Sequence, residues 1–225
     1  MLNSTYDELQ RAVARRLGYP LLRTNQSTDE KQSIEDCIRC GLRWFYFPTG
    51  ENTHVWSFLR RYYEVRLAAG TNWYELPSNF ARIAERPTVS SSTLPIAVTD
   101  EAGVRLRING EGKTGTPVYC GVRTKDVRGD TRYEIGVYPT PDAAVVNAQM
   151  DLQFWYLFEP ATLSESNPSA LGGGTHAETI HAACLAAAEA QMNPETMAQE
   201  GGVHWQYFQQ QLSASVVTDQ ILVGG

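Results

Sequence analysis

The stretch Tyr62–Ile83 constrains the fold most, because it separates a helical part of the chain from a part that is rich in strand patterns. Apolar and polar side chains alternate from Tyr62 to Leu67, with the period of two that is typical of a half-buried strand. Gly70 suits a tight turn, and the apolar residues that resume at Trp73 end at Pro77, which has no N–H group for a strand ladder. We therefore predict a strand, a tight turn and a second strand at this junction, paired as a β-hairpin.

The chain before this hairpin has the pattern of two amphipathic helices. Each follows a capping box, in which a Ser or Thr side chain and a Glu three residues later exchange hydrogen bonds with the backbone. Apolar residues then recur every three or four positions, as they do on a helix with one buried face. The predicted helices are Tyr6–Leu17, after Thr5 and Glu8, and Asp29–Phe45, after Ser27 and Glu30.

The middle of the chain is predicted to be a small antiparallel β region with hairpin connections. Its strand patterns are short, and turn residues separate them. The predicted strands are Val104–Ile108, Val118–Thr124, Tyr133–Tyr138 and Ala148–Phe158, with a turn around Arg128-Gly129-Asp130 between the second and the third.

Helical patterns return after the glycines at 172–174. A third capping box, Thr175 with Glu178, predicts an alanine-rich helix to Met192, and a further helix is predicted from Val203 to Ser215. A short helix is expected to begin at Pro194. The chain then ends in an apolar segment that either packs on the protein's own core or docks on a partner. Its apolar residues are Val216, Val217, Ile221, Leu222 and Val223.

These patterns predict an α+β fold of two parts. Residues 1–60 and 159–225 are expected to form one helical bundle, and residues 61–158 an inserted antiparallel β domain. We expect no signal peptide and no membrane span, because the chain has no basic-then-apolar opening and no apolar run near 18 residues. Four scattered cysteines fit a reducing cytosol.

Charge is unevenly distributed over the 225 residues, whose formal net charge is −6. Residues 151–225 contain eight acidic residues and no Lys or Arg, so this part is not expected to grip the phosphates of nucleic acid. It could line a passage through which DNA slides, or it could simply favour solubility. The basic residues Arg11, Arg15 and Arg16 form either a solvated face of the first helix or a contact with an acidic neighbour.

No motif that resembles a catalytic or cofactor-binding site lies in the structural context that such a site requires. The glycines at 110, 112 and 115 match a dinucleotide-binding spacing, but a β-rich run follows instead of a helix. Cys37 and Cys40 lie within a predicted helix without a second pair of metal ligands. We therefore predict no catalytic residue, no cofactor and no metal site. The alternative is a metal-dependent hydrolase that uses His54, His176, His181 and His204, although their spacing matches no known zinc motif.

A series of short motifs, taken in order, resembles the head–tail connector proteins of tailed bacteriophages, and most closely the adaptors of the tail tubular protein A-like type. The resemblance covers nearly the whole chain. The motifs are Tyr6-Asp7-Glu8-Leu9, Arg15-Arg16-Leu17-Gly18, Gly41 to Pro48, Trp56-Ser57-Phe58-Leu59, Gly70 to Phe80, Tyr138-Pro139-Thr140-Pro141 and His176-Ala177-Glu178-Thr179-Ile180.

This resemblance implies a structural virion protein without catalytic residues. It implies a ring of twelve copies that sits beneath the portal protein ring and above a tail-side connector or nozzle protein. The ring would be assembled in the host cytoplasm and would surround genomic DNA without binding it specifically. The apolar residues at the C-terminal end would dock on the portal. In such an assembly, the charge pattern allows Arg11, Arg15 and Arg16 to face the acidic C-terminal part of another copy. Another connector layer, such as a stopper or a tail-completion protein, is the alternative.

Overall fold

The computed structural model describes residues 4–50, 53–90, 94–127, 130–195 and 202–223, without the side chains of Asp130 and Val223. Its helices and mostly antiparallel strands confirm the predicted α+β class. The chain divides into two compact units, and the second interrupts the first in sequence. The first unit is Met1–Phe58 with Pro160–Gly225, and the second is Leu59–Glu159.

The helices are numbered in chain order. Their bounds are α1 Tyr6–Leu17, α2 Thr28–Tyr46, α3 Glu101–Glu111, α4 Ala143–Asn147, α5 Ala177–Met192 and α6 Val203–Val223. The first unit holds α1, α2, α5 and α6, and the second unit holds α3 and α4.

Local sequence signals explain where α1 and α2 begin. In both predicted capping boxes, Thr5 with Glu8 and Ser27 with Glu30, the side chain of each residue accepts a hydrogen bond from the backbone N–H of the other. The third predicted box is wrong. Thr175 lies inside a 3₁₀ turn, Gly174–His176, and α5 begins after it without a side-chain cap, because the tighter turn already leads the chain into the helix.

The core of the first unit forms where α5 packs against α1, α2 and α6. Gly41 of α2 lies so close to α5 that a Cβ atom there would stand 2.6 Å from the Cα atom of Cys184. A second part of this core is aromatic. Trp56 is fully buried, donates from Nε1 to the carbonyl oxygen of Phe45 at 2.7 Å, and stacks on Phe58.

The second unit contains two small sheets within the described residues. The strand bounds are β1 Arg60–Arg66, β2 Trp73–Glu75, β3 Phe80–Ile83, β4 Thr88–Val89, β5 Ala97–Val98, β6 Tyr119–Val127, β7 Asp130–Tyr138 and β8 Asp151–Phe158. In the first sheet β8 is central, with β1 on one side and β3 and β4 on the other, all antiparallel to it. In the second sheet the strand order is β2-β7-β6-β5, and only β5 is parallel to its neighbour.

The predicted hairpin at residues 62–83 is wrong, although its strands exist. All seven residues of β1 pair with β8, whereas β2 pairs with β7 in the other sheet. Gly70 bends the chain as expected, with φ 76°, but its N–H donates to the carbonyl oxygen of Pro141 rather than across a hairpin. β8 is the better partner for β1, because it has eight residues and β2 has only three.

The strand predicted at Val104–Ile108 is also wrong, because these residues belong to α3. The side chain of Asp100 accepts from the N–H of Gly103 at 2.8 Å and starts the helix. Glu101 then pairs with Arg105 one turn later at 3.1 Å. Val104 is fully buried, with its side chain close to Gly121. The alternation Val-Arg-Leu-Arg-Ile fits a strand by pattern alone, but the N-terminal cap from Asp100 favours the helix.

The other strands of the middle region follow the prediction more closely. β6 and β7 form the predicted hairpin, with Val127 opposite Asp130. Arg128 and Gly129, at its turn, lie outside the described residues, as do residues 196–201 of the short helix predicted from Pro194.

Candidate functional site

The last helix carries the residues predicted to dock on a partner. The helix predicted for Val203–Ser215 continues to Val223, so the apolar segment is its last two turns and not a separate tail. Its inner side is a stripe at spacings of four, three and four, formed by Phe208, Leu212, Ser215 and Asp219, all of which are buried.

The outer side of α6 carries a second stripe with a related spacing. It follows steps of four, three, four, three and four, and every member is exposed. Val203 is 77% exposed, Tyr207 40%, Val217 54% and Ile221 70%. We call this set the outer stripe: Val203, Tyr207, Gln210, Ala214, Val217 and Ile221.

The predicted docking residues occupy different positions on the helix. Val217 and Ile221 belong to the outer stripe. Val216 is half-buried, and Leu222 projects from the last turn with 67% of its surface exposed. The side chain of Val223 lies outside the description.

The outer stripe is neutral. Asp219 is the one Asp, Glu, Lys or Arg residue in the sequence of α6, and it lies on the inner side. Apolar side chains that are contiguous and exposed are a usual mark of a protein–protein contact. The first half of this stripe is not predicted above, because the pattern of Trp205, Phe208 and Leu212 dominates that region of the sequence. The spacing from Val203 to Ile221 is the signal that could have found it.

Polar contacts seat the second half of α6 on the first unit. Asp219 accepts from the N–H of Ser57 at 3.0 Å, from its hydroxyl at 2.5 Å, and lies 2.8 Å from Nε2 of His54. Burial alone would raise the pKa of Asp219, but the hydrogen bonds from Ser57 and His54 outweigh it and lower that pKa. The carboxylate of Asp219 is therefore ionised at neutral pH. One turn earlier, the hydroxyls of Ser215 and Thr179 lie 2.6 Å apart.

The first turn of α6 is capped by a side chain from another helix. The carboxylate of Glu189, in α5, accepts from the N–H groups of His204 at 2.8 Å and Trp205 at 3.3 Å. It also pairs with Arg16 at 3.4 Å. A Cβ atom at Gly202 would collide with this carboxylate, so a larger residue there would displace the Glu189 side chain from the helix end. The negative charge meets the positive end of the helix dipole, which favours the arrangement.

The predicted contact residues of α1 are not equivalent. Arg11 pairs with Asp7 at 2.9 Å and keeps 63% of its side chain exposed, and Arg15 is exposed as well. Arg16 is half-buried and engaged with Glu189. Arg11 and Arg15 remain available to a neighbour, whereas Arg16 has a role inside its own chain.

The four histidines do not assemble into a metal centre within the described ranges. His54 binds Asp219, and His176 is buried among Phe45, Trp56 and Phe58 with ring centroids 5.1–6.0 Å away. Burial lowers the pKa of His176, and its Nδ1 has no hydrogen-bond partner. In the part of the chain that the structure describes, no group of three or more His, Cys, Asp or Glu side chains could hold a metal ion.

The other motifs tested in the sequence have structural explanations. Gly110 lies within α3 and Gly112 ends it in a left-handed conformation, so the glycine series does not precede a helix as a phosphate loop does. Burial raises the pKa of the Cys37 thiol to about 12, which leaves it unreactive at neutral pH. Among the described helices, none has the length and apolar character that crossing a membrane requires.

Comparison with known proteins identifies a family that the chain matches. A family model described as SU10 adaptor protein matches residues 4–222, which covers helices and strands of both units. No curated protein matches the chain.

Proposed function

The chain belongs to the SU10 adaptor protein family, a family of phage head–tail adaptors, and on that premise we propose that it forms a ring beneath the portal, joins the capsid to the tail and continues the DNA channel. The members of this family are structural phage proteins, so the predicted resemblance to phage head–tail adaptors is confirmed at the level of the family. The tail tubular protein A-like type, the ring of twelve copies and the layer within the connector stay predictions.

The outer stripe of α6 is the observation that best supports portal docking. Four large side chains, Val203, Tyr207, Val217 and Ile221, are exposed along about 27 Å of one helix, at 1.5 Å per residue. The free energy falls when a partner removes the exposed apolar side chains of such a face from water, which favours binding. We propose that the second half of the stripe, together with Val216, Leu222 and Val223, contacts the portal.

Contacts between copies and the inner wall of the ring follow from charge. The exposed Arg11 and Arg15 of one copy would face the acidic C-terminal part of its neighbour, which has no Lys or Arg from residue 151 onward. A wall without cations would let genomic DNA pass without specific binding. A tail-side connector or nozzle protein would contact the ring on its other side. The ring would be assembled in the host cytoplasm and retained at the head–tail junction of the virion.

Particle mass tests this proposal directly. The protein is measured alone over a range of concentrations and then with the portal ring of the same phage. We expect a monomer that adds about twelve copies to each portal ring, because a ring beneath the portal repeats its symmetry. Failure to associate with the portal, combined with association with a tail-side protein, would instead assign the chain to the stopper or tail-completion layer.

Two sets of substitutions test the docking surface. Val217→Asp with Ile221→Asp places two charges on the outer stripe and should abolish portal binding, because the charges must then be desolvated at the contact. Thr24→Asp with Gln206→Asp adds the same charges at exposed positions away from the last two turns of α6 and should retain binding. Deletion of residues 216–225 is expected to give a folded protein that no longer binds. Binding by the first double variant would refute this docking surface.

A further inference from the structure

The second half of α6 is seated in an unusual way for a surface helix. Between Ser213 and Leu222 the two buried side chains are polar, Ser215 and Asp219, while Val217 and Ile221 face outward. The first half differs, because Phe208 and Leu212 bury apolar surface and Glu189 caps its first turn. A helix end without buried apolar side chains is normally prone to fray.

Asp219 supplies most of the contacts that replace apolar packing. It is 2% exposed and engages three donors on two residues, the N–H and hydroxyl of Ser57 and Nε2 of His54. Hydrogen bonds to a buried carboxylate are stronger than those between neutral groups. Beyond this carboxylate, the inner side of these turns has the contact between Ser215 and Thr179.

We propose that Asp219 is a positioning residue of the docking surface. Its contacts with Ser57 and His54 keep the last two turns of α6 helical and seated, so that Val217 and Ile221 stand in line with Val203 and Tyr207 as one rigid stripe. The side chain of Asp219 faces inward and does not itself touch the partner. The role in docking rests on the proposed function, whereas the seating of the helix does not.

Hydrogen–deuterium exchange of the isolated protein tests the seating. We expect Asp219→Ala to speed amide exchange in residues 216–223 at least about tenfold, since the lost bonds involve a charged group, and to leave residues 205–212 unchanged. Asp219→Asn keeps an acceptor for Ser57 and should restore most of the protection. Gln220→Ala, an exposed neighbour on the same turn, serves as the matched control and should exchange like the unaltered protein.

Two results would overturn the proposal. One is unchanged exchange of residues 216–223 in Asp219→Ala. The other is a uniform rise over all helices of the first unit, which would make Asp219 a contributor to global stability only.

Portal binding of the same variants tests the positioning role. Asp219→Ala keeps every residue of the outer stripe, yet it should bind the portal at least about tenfold more weakly, because the partner must then order the frayed turns. Full binding by a frayed variant would refute the positioning role. If the unaltered protein does not bind the portal, the proposed function fails, while the exchange result still decides the seating.

Discussion

His176 sits among aromatic rings where a charge would be poorly solvated. Burial lowers its pKa below the ordinary 6.5, so the folded protein keeps the ring neutral. The unfolded chain takes up a proton as the pH falls through about 6.5, and the folded chain does so only at lower pH. The unfolded state therefore binds more protons in this window, and the free energy of unfolding must decrease as the pH falls.

The variant His176→Phe tests this titration. A phenyl ring suits the neighbours Phe45, Trp56 and Phe58 and cannot be protonated. We expect thermal unfolding between pH 8 and pH 5.5 to show a smaller decrease in Tm for the variant than for the unaltered protein. An equally steep decrease in both proteins would place the titrating group elsewhere.

The close approach of α2 and α5 depends on one glycine. Gly41→Ala would bring a methyl group within 2.6–2.7 Å of backbone atoms of Ala183 and Cys184, so one helix must move. We expect a loss of about 2 kcal/mol in the free energy of unfolding, measured by denaturant titration. Gly110→Ala is the matched control. It meets no atom within 4 Å and lies in α3, so it should stabilise the protein by about 0.5–1 kcal/mol.

The cap that Glu189 provides for α6 is a second element-level dependence. Glu189→Ala leaves the N–H groups of His204 and Trp205 without their acceptor and Arg16 without its partner. We expect a loss of about 2 kcal/mol in the free energy of unfolding. Glu189→Gln retains an oxygen acceptor and should lose roughly half as much. Equal losses in the two variants would show that the charge, rather than the acceptor, is what the helix end requires.

Local signals were sufficient to predict some elements and not others. The capping boxes of Thr5 and Ser27 located α1 and α2 to within a residue, because a cap is a short-range interaction. The pairing of β1 could not be read locally, because its partner β8 lies about 90 residues further along the chain. The prediction at Val104–Ile108 failed for a different reason, since five alternating residues fit a strand or an exposed helix equally well.

The candidate docking surface was partly visible in the sequence. The apolar character of Val217 and Ile221 was evident, but their orientation was not. Sequence patterns predict that the apolar residues of a helix face inward. Here the polar residues Ser215 and Asp219 face inward instead, because they form hydrogen bonds with Thr179, Ser57 and His54. Those partners lie far away in the sequence, so only the folded chain reveals which side of α6 is outward.

At the scale of the whole molecule, net charge leads to a prediction about DNA. The chain carries a formal charge of −6, and its last 75 residues have no Lys or Arg. We expect the purified protein to leave duplex DNA unshifted in a gel assay at roughly 0.1 M salt, because few phosphates would be neutralised. A salt-sensitive shift would contradict the expectation that the protein does not bind DNA. The arginines near the start of the chain, such as Arg11 and Arg15, would then be the first candidates for phosphate contacts.

The insertion of the second unit has an evolutionary consequence. The chain enters that unit through β1 and leaves it through β8, and these strands are neighbours, with Arg60 opposite Leu157. The two ends of the insertion therefore lie about 5 Å apart, the spacing of paired strands. A few residues would suffice to close that gap, so the β unit can be removed or replaced while the helical unit keeps its own connectivity.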